Sequence, residues 1–307
     1  MATLGGVDFP DSPTVLDGGL ASELRAWGHD MSDHLWSARL LLDEPAALTA
    51  AHTAFFEAGA TIVTTATYQA SFEGFAARGL ARDDAERVLR LGVEVAVAAR
   101  AGFTDGVDRW VAASVGPYGA ALADGSEYRG RYGLSVADLV DWHLPRLRVL
   151  AGARPDILAC ETVPDAVEAE ALGVALAEVD VPAWITYTVE GDRTRAGQPL
   201  DEAFAVAAAS PSVTAVGVNC SAPDDIGPAI ATARSVTDKP IVVYPNSGES
   251  WTGTWSGPSR FSVDLAAQWV AAGARVVGGC CRVTRSDIAA LARALSPGGS
   301  PHHRRAT

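Results

Sequence analysis

The strongest constraint on the fold of this chain is a regular alternation of short apolar runs with longer amphipathic segments. Continuous apolar runs rich in β-branched residues are typical of parallel strands that are buried on both faces of a sheet. Eight such runs predict strands at Thr14–Gly19, Ala60–Tyr68, Trp110–Gly116, Ile157–Thr162, Ala183–Thr188, Ala215–Cys220, Ile241–Asn246 and Ala274–Cys280.

The segments between these runs are rich in alanine and leucine and have helical periodicity. Glycines such as Gly59 and Gly273 stand where a helix should stop, and Pro45 stands where one should begin. The predicted helices are Ala46–Ala58, Arg82–Ala101, Val136–Gly152, Ala166–Glu178, Leu200–Ala209, Pro223–Ser235, Ser262–Ala272 and Asp287–Leu295.

Eight successive βα units predict an α/β protein with a single (β/α)8 barrel of the TIM type and an extended first βα loop. A doubly wound open sheet is the rival architecture, but the count of eight and the absence of a compositional break favour the barrel. We expect residues 1–307 to form one domain, with its core at about 12–296 and a frayed tail at 297–307.

Composition and charge narrow the functional class. The chain has 37 acidic and 24 basic residues, a net charge of −13, and its basic residues cluster only at Arg304–Arg305. This balance argues against nucleic-acid binding, and no apolar stretch is long enough to span a membrane. The N-terminus does not resemble a secretory signal, and four cysteines do not make a disulfide scaffold, so we expect a cytoplasmic protein with small-molecule partners. The sequence leaves its oligomeric state undetermined.

Three cysteines follow predicted strands and are the clearest candidates for chemistry. Cys220 ends the sixth strand, and the adjacent pair Cys280 and Cys281 ends the eighth. Converging thiolates would bind a metal ion, zinc being the natural occupant, and three ligands leave one coordination position for a substrate. Neighbouring side chains on a strand point to opposite faces, so we expect Gly278 and Gly279 to bend the chain through positive φ angles. A buried pair of free thiols or a redox pair remains the alternative.

Other polar residues also follow the predicted strands, at the end of the barrel where active sites form. Asp17 and Glu161 are candidates to hold a substrate ammonium group, although Asp17 could instead cap the following turn. Cys160 should face the helices as a core thiol. Asn246 could form a turn or place a neutral oxygen near the metal. Aromatic residues in the first and seventh loops could pack a lid or shield a cation, namely Trp27, Trp36, Trp251 and Trp255.

The chain resembles the homocysteine S-methyltransferase family over about residues 12–296. The cysteine motifs match the zinc-dependent family as a whole, and residues 123–130 resemble the subgroup that uses S-methylmethionine or S-adenosylmethionine. The matching segments are Leu-Asp-Gly-Gly-Leu-Ala-Ser-Glu-Leu (16–24), Ser-Asp-His-Leu-Trp-Ser-Ala (32–38), Ser-Val-Gly-Pro-Tyr-Gly-Ala (114–120), Ala-Asp-Gly-Ser-Glu-Tyr-Arg-Gly (123–130), Ala-Cys-Glu-Thr (159–162), Gly-Val-Asn-Cys (217–220), Tyr-Pro-Asn-Ser-Gly-Glu (244–249) and Gly-Gly-Cys-Cys-Arg (278–282).

The resemblance implies a set of roles for individual residues. Zinc would be held by Cys220, Cys280 and Cys281, with the sulfur of homocysteine on the metal. The amino group of homocysteine would lie near Asp17 and Glu161, and Asn246 would be a candidate ligand before substrate binds. Further substrate contacts would come from Gly18 and the segment of Trp36 and Ser37. Apart from the resemblance, Tyr68 is a substrate-binding candidate because it lies near the end of the second predicted strand.

The activity that the resemblance implies is methyl transfer from S-methylmethionine or S-adenosylmethionine to L-homocysteine, giving methionine. Betaine-using relatives have a tyrosine where this chain has Thr162, and folate- or cobalamin-using relatives append further domains, so those donors are disfavoured. Two other functions remain open at this point. One is a thiol redox protein that uses Cys280 and Cys281, and the other is a non-catalytic barrel that binds zinc or an amino acid.

Overall fold

The computed structural model describes residues 3–4, 7–8, 13–32, 35–251 and 255–296. Eight parallel strands form the central sheet, and they are named β1 to β8 in chain order. Their bounds are Thr14–Val15, Ile62–Thr64, Trp110–Val115, Ile157–Val163, Ala183–Tyr187, Val213–Asn219, Ile241–Tyr244 and Ala274–Val277.

The sheet closes into a barrel where its first two strands meet. Sequential strands are neighbours from β2 to β8, and β8 pairs with β1. A parallel bridge between Leu16 and Ile62 then joins β1 to β2, supported by a 2.8 Å hydrogen bond from the Thr61 N–H to the Val15 carbonyl. The structure therefore confirms the predicted barrel and excludes an open doubly wound sheet.

Eight helices, α1 to α8, connect these strands. Each lies where the sequence predicts one, and the ends differ by at most two residues. Their bounds are Pro45–Glu57, Arg82–Ala101, Val136–Gly152, Ala166–Leu176, Leu200–Ala209, Pro223–Val236, Val263–Ala272 and Arg285–Leu295.

The loops contain further short elements that the sequence did not predict. Short helices of three to seven residues gain little from intrinsic propensity and depend on tertiary packing, so their periodicity is weak. They are Leu20–Ala26, Trp36–Arg39, Leu40–Asp43, Phe72–Ala76, Tyr118–Leu122 and Ser126–Tyr128, and the short antiparallel pairs are Thr3–Leu4 with Val7–Asp8, Val189–Glu190 with Arg193–Thr194, and Ser250–Trp251 with Trp255–Ser256.

The expected extended first loop is present between β1 and α1, where three of these helices lie. The predicted tail at 297–307 lies outside the described residues. Within the described ranges, no helix combines the length and the apolar character that crossing a membrane requires.

Apolar side chains form two layers. A large cluster lies between the sheet and the helices, and a smaller one fills the barrel interior. Trp184 is fully buried in the interior, and its indole N–H donates to the Tyr244 hydroxyl at 3.1 Å. The Thr186 and Tyr244 hydroxyls are 2.9 Å apart. This network fixes Tyr244 at the level where the pocket begins.

Close contact between β6 and β7 depends on a glycine. A Cβ atom added to Gly217 would lie 1.7 Å from the Val242 carbonyl oxygen, which is backbone and cannot move aside. We expect Gly217→Ala to lower the free energy of unfolding by about 3 kcal/mol, through overpacking. A lower urea midpoint would show this. Gly227→Ala in α6 is the matched control, since its added Cβ meets nothing within 4 Å. Equal midpoints for the two variants would contradict the prediction.

Candidate functional site

The three predicted cysteines meet at the C-terminal end of the barrel. The Sγ atoms of Cys220 and Cys281 are 3.7 Å apart, and those of Cys280 and Cys281 are 4.0 Å apart. All three sulfur atoms lie within 4.8 Å of one another, and this is the one group of its kind among the described residues that could hold a metal ion. Residues 60 positions apart in the chain thus converge because β6 and β8 end at the same rim.

The backbone explains how neighbouring cysteines face one centre. Strand β8 ends at Val277, so Cys280 and Cys281 lie in a turn beyond it rather than on a pleated strand. The Cys280 N–H donates to the Pro245 carbonyl at 2.7 Å, and the Ser247 N–H donates to the Cys281 carbonyl at 2.9 Å. The turn is therefore anchored to the loop after β7.

The prediction that Gly278 and Gly279 bend the chain through positive φ angles was wrong. Neither has a positive φ angle; next to the thiols, Cys220 at φ +47° and Arg282 at φ +66° have left-handed backbone conformations instead. An added Cβ on Gly278 would lie 2.6 Å from the Leu16 Cβ, and one on Gly279 would lie 2.2 Å from Val283 Cγ1. The glycines are needed for close approach of the turn to its neighbours.

The thiols influence one another strongly. Hydrogen bonding with Cys280 and Cys281 lowers the pKa of Cys220 well below its usual value. The interaction with Cys220 in turn raises the pKa of Cys280 and of Cys281. Three thiolates this close repel one another, and a bound divalent cation would offset that repulsion and favour the fully ionised cluster.

Glu161 lies on β4 and lines the pocket beside this cluster. Its carboxylate accepts a hydrogen bond from the Ser114 hydroxyl, and its side chain is largely buried. Burial raises the pKa of Glu161 to about 7, against the lowering effect of hydrogen bonds from Ser114 and Tyr244. Glu161 is thus placed to accept a cation, which would hold it in the ionised form.

Asp17 lies behind the pocket surface. It is 1% exposed, and its Oδ2 accepts a 2.8 Å hydrogen bond from the Thr64 N–H. Burial raises its pKa well above the usual value, although the Thr64 hydrogen bonds oppose the shift, and the charge of Glu161 raises it further. Two carboxyl groups that destabilise each other's ionised form would both be stabilised by an ammonium group nearby.

Residues from seven of the eight strand ends or loops line the pocket. The set includes four of the predicted substrate contacts, Gly18, Ser37, Tyr68 and Glu161, along with all three cysteines. The full lining is Gly18, Gly19, Leu20, Ala21, Ser22, Ser37, Thr64, Thr65, Tyr68, Ser114, Tyr128, Glu161, Thr162, Cys220, Tyr244, Gly279, Cys280 and Cys281.

Some predicted site residues lie elsewhere. Asn246 does not line the pocket, and its Oδ1 accepts a 2.8 Å hydrogen bond from the Gly248 N–H, so it is used in turn formation. Trp27 is 40% exposed and lines a separate surface groove, and Trp255 is not among the residues that line the pocket. The side chains of Trp36 and Trp251 lie outside the described residues. Cys160 is fully buried in the sheet–helix layer, as predicted, and burial raises its pKa to about 12.

Sequence reasoning missed Tyr128 and Tyr244 as pocket residues. The Tyr128 hydroxyl lies 3.2 Å from the Cys220 Sγ, while part of its ring remains exposed. Tyr244 sits at the end of β7 and points into the barrel. Period-two alternation along β7 could have identified Tyr244, but Tyr128 lies in a loop, where no periodicity reports the direction of a side chain.

Comparisons with known proteins agree with one another. A family model described as homocysteine S-methyltransferase matches residues 14–295. Homocysteine S-methyltransferase 4 of Zea mays is 45% identical over 304 residues, which cover 92% of this chain and 89% of that protein. Homocysteine S-methyltransferase YbgG of Bacillus subtilis (strain 168) is 42% identical over 298 residues, covering 92% and 95%.

A solved structure is similar over the same length. The homocysteine methyltransferase MmuM from Escherichia coli, in its metallated form, superposes with a TM-score of 0.84 and 42% identity, covering 92% of this chain and 96% of that one.

Proposed function

This chain belongs to the homocysteine S-methyltransferase family, and we propose that it transfers a methyl group from a sulfonium donor to the thiol of L-homocysteine, giving methionine. The observation that carries this proposal is the convergence of the Cys220, Cys280 and Cys281 sulfurs beside a pocket that contains a buried carboxylate. Three sulfur ligands with an adjacent cavity suit a centre that must receive a fourth sulfur from a substrate.

Zinc fits the donor set. Tetrahedral coordination with Zn–S bonds of about 2.3 Å requires sulfur atoms about 3.8 Å apart. The separations of 3.7 Å and 4.0 Å at Cys281 agree with that geometry. Soft thiolate ligands favour zinc over magnesium or calcium. When bound, the ion would supply the means to hold the substrate thiol as a thiolate near neutral pH.

The amino group of homocysteine would bind at the buried carboxyl pair. Glu161 lines the pocket, and Asp17 lies behind it through Thr64. No lysine, arginine or histidine is among the described lining residues, so no side chain there competes for these carboxylates. Gly18 and Ser37 would help to position the substrate, as would Trp36 from the same loop. For Asn246 to contact the centre, its side chain would have to leave Gly248.

The same lack of basic side chains favours a cationic donor. In the proposed reaction, the homocysteine sulfur forms a bond to the methyl carbon as the donor's S–CH3 bond breaks, and that electron pair stays on the donor sulfur as a neutral thioether. The homocysteine thiol loses its proton to solvent before the transfer. A sulfonium leaves without protonation, so the pocket needs no general acid. Its residues must align the two sulfurs and the methyl carbon, which can lower a barrier by several kcal/mol.

The test of this function uses the purified protein with L-homocysteine and either S-methylmethionine or S-adenosylmethionine. Methionine formation and the zinc content of the same sample would be measured. Methionine formed only by zinc-containing protein is expected. Thiol–disulfide activity in zinc-free protein, with no methionine formed, would instead support the redox hypothesis. We further propose that the protein works in the cytoplasm, where its four free cysteines would remain reduced.

A bidentate ion pair stabilises the turn that contains Cys280 and Cys281. Arg282 directly follows Cys281, and its guanidinium donates to the two Glu249 oxygens at 3.0 and 3.1 Å. Glu249 also accepts from the Ser247 hydroxyl at 2.7 Å. Mutation of residues that orient metal ligands typically lowers metal affinity about tenfold or more. We therefore expect Glu249→Gln to weaken zinc binding about tenfold.

Competition with a chromogenic chelator would measure that affinity. Glu190→Gln is the matched control, because the Glu190 carboxylate pairs with Arg195 and its side chain is 81% exposed to solvent. Equal zinc affinity in the two variants would show that Glu249 does not stabilise the turn for zinc binding.

A further inference from the structure

Glu127 is a partly buried acidic residue, outside the residues that line the pocket, that the proposed reaction has not yet used. It lies in the short helix Ser126–Tyr128, one residue before the tyrosine that contacts Cys220. Its Oε2 atom is inaccessible to solvent and has no hydrogen-bond partner among the described residues. A buried carboxylate oxygen without a partner is costly, so its retention at this position needs a physical reason.

The nearest basic side chain is committed elsewhere. The Arg129 guanidinium donates to the Ser126 hydroxyl at 2.8 Å and pairs with Asp124 at 3.4 Å. No ion pair to Glu127 is seen among the described residues, although Glu127 belongs to the same turn as Arg129. Arg129 thus attracts the Glu127 carboxylate electrostatically, but its direct hydrogen bond and ion pair are with Ser126 and Asp124.

The turn that bears Glu127 is held close to the site. A Cβ added to Gly119 would lie 2.5 Å from the Glu127 backbone nitrogen, so a glycine is needed there for the two segments to meet. Glu127 interacts electrostatically with the pocket: the pKa of Glu127 is raised, first by burial and then by the charge of Cys220, and the pKa of Tyr68 is raised, first by burial and then by the charge of Glu127.

Two tyrosine rings that interact with this part of the chain line the pocket. Tyr68 and Tyr128 both line the pocket, and the Tyr128 hydroxyl lies 3.2 Å from the Cys220 Sγ. Ring faces attract onium groups, and a nearby carboxylate strengthens that attraction. The side of the pocket near Tyr128 is thus chemically distinct from the side formed by Glu161 and Asp17.

We propose that Glu127, together with the rings of Tyr68 and Tyr128, forms the binding site of the methyl donor, and that Glu127 is the counter-ion of this cation. The inference rests on the proposed function and deepens it, because it assigns the two substrates to different carboxylates. Homocysteine pairs with Glu161 and Asp17. The donor, an amino acid with a sulfonium group, pairs with Glu127 and presents its methyl group toward the cysteines.

Steady-state kinetics of Glu127→Gln would test this site, with S-methylmethionine and S-adenosylmethionine assayed separately to identify the donor. The variant keeps the side-chain shape and removes the charge. Charge-assisted contacts are strong, so we expect the donor KM to rise about tenfold to a hundredfold. The homocysteine KM and the zinc content should stay within about twofold of wild type. Glu127→Asp, which keeps the charge on a shorter side chain, should show a smaller increase.

Asp124→Asn is the matched control, because it removes an exposed carboxylate from the same turn. A donor KM that is unchanged in Glu127→Gln would overturn the inference. So would an equal rise in the homocysteine KM, or an equal rise in donor KM in Asp124→Asn. Failure of wild-type protein to use either donor would instead refute the proposed function itself, and this is the first measurement in the series.

Discussion

Replacement of Cys281 by alanine is expected to abolish methyl transfer and to lower the amount of bound zinc. The Cys281 sulfur lies 3.7 Å from that of Cys220 and 4.0 Å from that of Cys280. Its loss leaves two sulfur ligands, which cannot hold the ion firmly or keep its charge balanced. Methionine formation and metal content per protein chain, measured on the same preparation, would check both parts of the prediction.

Cys160→Ala provides the matched control for that experiment. Cys160 is also a fully buried cysteine, but it lies in the layer between the sheet and the helices. We expect this variant to retain zinc and activity, since its sulfur cannot reach the cluster. A Cys281→Ala protein that remained fully active without zinc would remove the basis of the mechanism.

Replacement of Glu161 by glutamine is expected to weaken homocysteine binding while zinc is retained. Glutamine preserves the volume and can still accept from the Ser114 hydroxyl, but it cannot pair ionically with the ammonium group of the substrate. Loss of a charged partner in a buried site should raise the homocysteine KM about tenfold to a hundredfold. Titration of homocysteine at saturating donor would measure it, and an unchanged KM would contradict this role.

The pH dependence of the same variant gives a second readout. Burial raises the pKa of Glu161 to about 7, so the carboxyl is increasingly protonated as the pH falls below that value. Only the ionised form can pair with an ammonium group, and wild-type affinity for homocysteine should therefore fall as the pH drops through 7. Thiol deprotonation adds its own pH dependence in both proteins. The ratio of the two KM values should accordingly shrink toward low pH, and a constant ratio would argue against ionic pairing.

The architecture was predictable because strands buried on both faces have an unmistakable apolar pattern. Runs such as Ile157–Val163 and Val213–Asn219 have few polar interruptions, and the number of such runs predicted the barrel.

In several strands the predicted C-terminal end lies beyond the observed one. The apolar run continues to Cys280, but pairing in β8 stops at Val277, since the chain turns there to contact β1. Sequence reports burial at such positions, and burial alone does not distinguish a strand from a packed turn.

The site was predictable only where its residues directly follow strands. Cys220, Cys281 and Glu161 follow or end apolar runs, so barrel topology alone brings them together. Glu127 and Tyr128 come from a loop that folds back over the rim, and their positions depend on the turn at Gly125 and on contact with Gly119. Such contacts between loops have no sequence period, so they become evident only in the folded structure.

The sulfur cluster lies close to the place where the ring of strands is completed. Two of its ligands follow the last strand, and their turn packs against Gly19, whose added Cβ would lie 2.6 Å from the Cys280 carbonyl oxygen. During synthesis these two thiols emerge only after the seven preceding strands, so an incomplete chain offers the ion a single ligand. A bound metal would therefore link the end of β6 to the turn after β8, and its affinity for the completed barrel alone would stabilise the folded form.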